Sequence, residues 1–167
     1  MAVARFIIDK NVGKLAKWLR MMGYDALLFN ETDDGRMVKL ALEDSRIIVT
    51  RDTEFMKRRA VTTGRVRAVL VSGDDPEIQM GTLIRALCID SGFKPFSRCI
   101  QCNTELRPRE RHQVKEAVPP RVYEIQEQYM ECPACRRLFW RGTHWQAMNR
   151  LLCQFSAVNC QKMGVNP

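Results

Sequence analysis

The chain is 167 residues long, 46% apolar, and carries a formal net charge of +8. That length holds one ordinary core, or a core plus a small satellite, and the apolar fraction excludes a disordered chain. Apolar runs of at most about five residues exclude a membrane-spanning helix, and the basic excess suits a nucleic-acid partner, although solubility alone would also account for it.

The first predicted element is a buried strand over Val3 to Ile8, closed by Asp9. A helix follows, with Val12, Leu15, Ala16, Leu19 and Met22 at helical spacing and Gly23 as its stop. Lys10, Lys14 and Lys17 share another face of it, with Arg20 beside Lys17. Asp25 to Phe29 gives a second strand. The acidic turn Asn30 to Gly35 opens a helix at Met37, Val38, Leu40, Ala41 and Leu42, with Asp33 or Asp34 suited to its N-cap. Arg46 to Thr50 reads as a third strand, followed by Arg51-Asp52 and a helix over Thr53 to Arg59. A fourth strand, Val66 to Val71, runs into Ser72-Gly73-Asp74-Asp75-Pro76 and a helix to Cys88 whose core face is Ile78, Leu83, Ile84 and Leu87.

Strands alternating with helices predict an α/β fold with a parallel sheet flanked by helices. Connections of that kind set every strand C-terminus on one edge, where open α/β sheets bind ligands. Asp9, Asp52 and Asp74 or Asp75 each follow a strand, and Asp33 and Asp34 lie in a loop after one. Clustered carboxylates repel unless a cation joins them. Magnesium or manganese would take such oxygens and assist phosphoryl chemistry. Helix capping alone would also explain Asp33 and Asp34, and an ordinary turn would explain Asp74-Asp75-Pro76.

The second half opens on a linker over residues 89–98, with Gly92, Pro95 and Ser97. Two C-x-x-C knuckles follow, Cys99/Cys102 and Cys132/Cys135, which together make a four-sulfur zinc site. Four protein ligands leave no open position, so this ion is structural. Cys88, Cys153 and Cys160 lie in apolar segments and read as small buried hydrophobes. A reducing compartment suits this cysteine usage. The N-terminus lacks signal-peptide anatomy, so a cytoplasmic protein is expected.

Pro108 to Pro120 reads as an exposed basic loop. Arg136, Arg137 and Arg141 interleave with Phe139, Trp140 and Trp145, a mixture suited to single-stranded RNA. Trp140 and Trp145 would equally serve to pack the ribbon. His112 reads as solvated; His144 could cap the last helix, touch RNA or assist catalysis. That helix is expected from Trp145 to Cys160, with Met148, Leu151, Leu152, Phe155 and Val158 on one face. The domains expected are 1–92 and 93–167.

Asp9 to Asp25, Asp34 to Ala41, Ile47 to Asp52 and Cys132 to His144 together resemble the Mut-seven C-terminal (Mut7-C) ribonuclease family, in motif order over nearly the whole chain. The resemblance implies a PIN-like nuclease with a C-terminal zinc ribbon, acting on RNA with a divalent cation. It makes Asp9, Asp34 and Asp52 the acidic centre, and Lys14, Lys17, Arg20 and Arg51 the basic residues around it. Asn11 stands where the family more often has Met. Asp33 and Asp74 as further cation ligands are inferred from position only. The function expected is metal-dependent RNA hydrolysis. The alternative is a non-catalytic zinc-ribbon RNA-binding module of a larger processing or ribosomal complex, with a protein partner left open; a toxin-like nuclease is a third possibility.

Overall fold

The computed structural model describes residues 4–87, 94, 96–143, 145, 146 and 150. His144, the three apolar-segment cysteines, most of the expected linker and the final helix beyond residue 146, apart from residue 150, lie outside these. The chain divides into two compact units, residues 1–95 and 96–167.

The first unit runs β1 (Arg5–Asp9), a 3-10 turn (Lys10–Val12), α1 (Lys14–Met21), β2 (Asp25–Phe29), α2 (Asp34–Glu43), β3 (Ile47–Thr50), α3 (Thr53–Met56), α4 (Arg59–Thr62), β4 (Ala68–Leu70) and α5 (Pro76–Leu87). Its four strands are all parallel, in the order β2-β1-β3-β4. Phe6, Ile7 and Ile8 are fully buried, as a central strand covered on both faces requires. Ile7 and Ile48 face one layer, packed with Phe29, Met37, Ala41, Phe55 and Val66. Alternation sends their neighbours Phe6, Ile8 and Val49 to the opposite layer. There Phe6 meets Tyr24 edge-on with ring centroids 5.6 Å apart, and α1 packs against β2 and α5.

Glycines fix both ends of α1. A Cβ on Gly13 would lie 3.3 Å from both Leu28 Cδ1 and the Lys10 carbonyl, so a side chain there would have to push its neighbours back by a few tenths of an ångström. Gly23, at φ 89°, stops it in the left-handed region. At the N-terminal edge of the sheet, Arg46 donates to the Phe6 carbonyl at 3.2 Å and to Asp25 Oδ1 at 2.7 Å. Its Nε donates to Asp44 at 2.8 Å. Burial opposes the Arg46 charge, but the two carboxylates outweigh it and raise its pKa.

Two expectations for this unit need correction. The helix expected over Thr53 to Arg59 is two short helices, because Arg58 takes extended backbone (φ −61°, ψ 139°) as the N-cap of α4. Ile78 is 59% exposed and belongs to no core; Met80, Leu83 and Ile84 supply the buried face of α5 instead.

The second unit has β5 (Arg107–Arg109), α6 (Pro120–Ile125), β6 (Tyr129–Glu131) and β7 (Leu138–Phe139). The strands form an antiparallel sheet in the order β5-β6-β7. Pro108 to Pro120 is not a plain exposed loop. It holds part of β5 and a 3-10 turn over Arg111–Val114, and it buries Val114 and Val118 against Tyr129. Arg111 lies 4.6 Å from the Tyr123 ring centroid and donates to the Tyr123 carbonyl at 2.7 Å. Among the described residues, no helix is long and apolar enough to cross a membrane.

Candidate active-site edge and cysteine cluster

All four strands of the first sheet end on one edge, and β3 forms its hub. Thr50, the last residue of β3, is fully buried. Its hydroxyl donates to Asp9 Oδ2 at 2.7 Å and accepts the Asp52 backbone N–H at 3.0 Å. Asn11 also donates to Asp9 Oδ2, at 2.7 Å, and its own oxygen accepts the Arg51 N–H at 3.4 Å. Asp52 caps α3: its Oδ1 accepts the N–H groups of Glu54 and Phe55 at 2.8 and 3.2 Å. Each of these two carboxylates is therefore oriented through one oxygen. Asp9 Oδ1 and Asp52 Oδ2 make no hydrogen bond among the described residues.

The other acids reach the same short segment through arginines. Arg51 pairs with Asp74. Arg58 Nη2 donates to Asp34 Oδ2 at 2.8 Å, while its guanidinium carbon sits 5.8 Å from the Phe55 ring centroid. Residues 50 to 58 thus carry partners for Asp9, which ends β1, and for Asp34 and Asp74, which follow β2 and β4. Asp33 is the N-cap of α2 and accepts the Arg36 N–H at 3.1 Å. Asp33 and Asp34 are not part of the hydrogen-bond network joining Asp9 to Asp52, and Asp74 meets it only through Arg51, whose backbone N–H is accepted by Asn11.

The basic residues separate into two groups. Lys10, Lys14 and Lys17 are exposed and form no ion pair with a described residue. Arg20, expected beside them facing RNA, is instead only 6% exposed. Its Nε donates to the Ala26 carbonyl at 2.9 Å, so it holds the α1–β2 connection together. In the second unit, Arg136 and Arg109 both pair with the buried Glu131, at 3.0 and 2.9 Å. Arg137 is exposed, and Arg141 lies over the Phe96 and Trp145 rings at 5.7 and 5.2 Å.

The sequence alone does not single out Asn11, Thr50 and Arg58 as site residues. Thr50 does carry a signal, as the one polar residue closing an otherwise apolar strand two positions before an acid. Asn11 stands two residues after Asp9 and departs from the family pattern, which also marks it. Arg58 carries none, since its pairing depends on how the chain turns after α3.

The four sulfurs of Cys99, Cys102, Cys132 and Cys135 lie within 4.8 Å of one another. Cys99 and Cys135 are 3.7 Å apart, close to the edge of about 3.8 Å expected of a tetrahedron with Zn–S bonds of ~2.3 Å. In each knuckle the second cysteine's N–H points at the first sulfur, at 3.4 Å for Cys102 onto Cys99 and 3.5 Å for Cys135 onto Cys132. The Arg137 N–H, foremost, draws Cys135 down to about 7, whereas the hydrogen bond with Cys135, foremost, pushes Cys102 up to about 12. Four sulfurs this close cannot all ionise without a cation among them, and a zinc ion fits the donor set. Among the described residues, these cysteines are the one group of three or more ligating side chains that converge on a single point.

A parallel α/β sheet flanked by helices and followed by a four-cysteine unit is the architecture of a PIN-like domain with a zinc ribbon. The chain belongs to the Mut7-C RNAse domain family, whose model matches residues 4–152. Membership gives it a nuclease or RNA-related role. No curated protein and no solved structure matches it.

Proposed function

We propose that the protein is a metal-dependent ribonuclease that hydrolyses RNA phosphodiester bonds at the Asp9–Asp52 edge. The observation that carries this is Thr50, which ties the two acids together. An oxygen of each carboxylate then has no other partner among the described residues. Asp9 and Asp52 would hold a magnesium or manganese ion, joined by Asp34 and, less directly, by Asp33 and Asp74. When bound, such an ion would supply charge neutralisation at the phosphoryl group and activation of water. Lys10, Lys14 and Lys17 hold the phosphate backbone against this edge, and Arg51 supports it from the end of β3. A zinc ion on the four cysteines keeps the ribbon folded. There Arg137 and Arg141 offer a second handhold on RNA, with Arg136 and His144 as further candidates. The proposed location is the reducing cytoplasm, where thiolates of this kind remain available to zinc.

The test is hydrolysis of single-stranded and structured RNA with magnesium or manganese. Asp9→Asn and Asp52→Asn should each lower the rate by more than about 100-fold, because even residues that only orient a ligand are worth ~10–100-fold. Parent-like cleavage by both variants would remove the assignment. One observation favours a second reading, a non-catalytic RNA-binding module. Asp34 and Asp74 already have arginine partners, and the acids do not converge as the cysteines do. Tight RNA binding with no metal-dependent turnover would select it.

A further inference from the structure

We propose that Arg58 is an RNA-phosphate-binding residue whose guanidinium exchanges between the Asp34 carboxylate and a backbone phosphate. This deepens the ribonuclease reading and rests on it. Three observations converge on Arg58. It lies on the segment that carries the partners of the other acids, six residues after Asp52. Its side chain is 45% exposed and that of Asp34 is 35% exposed, so solvent and a polyanion can reach both. Its guanidinium is positioned twice over, by the Phe55 ring and by the extended backbone that begins α4.

An exposed arginine–carboxylate pair is worth little on its own. A guanidinium fork matches a phosphate as well as it matches a carboxylate. Exchange of partners is therefore nearly balanced, and whatever neutralises Asp34 tips it. A cation ligated by Asp34 does so, and so does replacement of Asp34 by Asn. Recruitment of a cation to this edge and capture of the substrate backbone would thereby be coupled through one side chain. Arg51 with Asp74 is a similar pair, but Asp74 is 91% exposed, and no ring packs beneath its partner among the described residues. Arg58 is the better-anchored of the two.

The experiment measures binding of a fluorescein-labelled oligouridylate to the full chain by anisotropy, in EDTA so that cleavage plays no part. Four proteins are compared: the parent, Asp34→Asn, Arg58→Gln and the double variant. Asp34→Asn should tighten binding by about three- to fivefold when Arg58 is present, on the scale of releasing one exposed pair. The same change should have little effect in the Arg58→Gln background. Within the Asp34→Asn background, Arg58→Gln should also make the log K against log salt slope shallower by about 0.7, the value for neutralising one single-strand phosphate. Thermal unfolding checks that the variants remain folded. Arg58→Lys, which keeps the charge, should restore part of the binding.

An equal gain from Asp34→Asn in both backgrounds would overturn the proposal, since it would then reflect the lost negative charge alone. An unchanged salt slope would overturn it as well. These failures leave the Asp9 and Asp52 cleavage test untouched. If the parent does not bind the oligonucleotide in EDTA, this proposal falls, and the cleavage test with Asp9→Asn and Asp52→Asn decides the ribonuclease reading by itself.

Discussion

At the level of single residues, Thr50 decides the shape of the candidate site. A fully buried hydroxyl that donates to one acid and accepts from the backbone of another fixes both at once. Thr50→Val keeps the shape and removes the donor. It leaves Asp9 with Asn11 alone and the Asp52 N–H with no acceptor. The expected cost is about 1–3 kcal/mol of stability, seen as a fall in Tm of roughly 4–8 °C per kcal/mol for a unit of this size. RNA hydrolysis should fall by about 10–100-fold, and Thr50→Ser should recover most of both losses. A Thr50→Val protein with parental activity would show that the Asn11 amide alone orients Asp9. The acids themselves are legible from sequence, because a charge ending an apolar strand demands a partner. Their partners are not: which hydroxyl or amide meets Asp9 depends on strand register, and residue order along one chain does not display register.

At the level of elements, α1 shows how a helix divides its cations between structure and surface. Its apolar positions Leu15, Ala16 and Leu19 are readable from their spacing and are all buried. The basic positions look equivalent in sequence and are not. Lys14 and Lys17 point to solvent, whereas Arg20 sits one residue from the buried stripe and reaches back to Ala26. An arginine so close to the apolar stripe can bury its stem and satisfy a carbonyl, which helical spacing alone does not reveal. Two substitutions separate the roles. Arg20→Met should lower stability by about 1–3 kcal/mol through loss of the hydrogen bond to the Ala26 carbonyl, with no change in the salt dependence of RNA binding. Lys14→Gln with Lys17→Gln should leave Tm unchanged and flatten the log K against log salt slope by about 0.7 for each phosphate no longer neutralised. The reverse pattern would place Arg20 back among the RNA-binding residues. The break between α3 and α4 is likewise unreadable, because nothing in the local sequence requires Arg58 to leave helical backbone.

For the whole molecule, the two units draw on different sources of stability. The first has a parallel sheet covered on both faces. Near the cysteines of the second, the buried cluster is Cys99, Cys132 and Leu106, so the ligands themselves make up much of the core. A cluster that small cannot hold a fold without a bound ion. Elemental analysis should find one zinc per chain. Chelation should abolish the thermal transition of residues 96–167 while that of residues 1–95 persists, and Cys132→Ser should reproduce the effect without chelator. Retention of both transitions after complete zinc removal would mean that the satellite core of Val114, Val118 and Tyr129 suffices. The α/β class, the parallel sheet and the four cysteines are all legible from sequence, since each rests on periodicity or spacing. The satellite core is not, because isolated valines among charges carry no periodic signal.

The strand order has a consequence for how the molecule forms. β1 pairs with β2 across the short α1 connection, but with β3 only after the chain has passed through β2 and α2. Closing the longer loop costs more entropy, so the β1–α1–β2 unit has the earlier start. On that order Asp9 would be in place before Thr50 and Asp52 arrive with β3. The oriented acid pair therefore needs the β1–β3 pairing, and a chain in which β3 has not docked would carry the first acid without its partner.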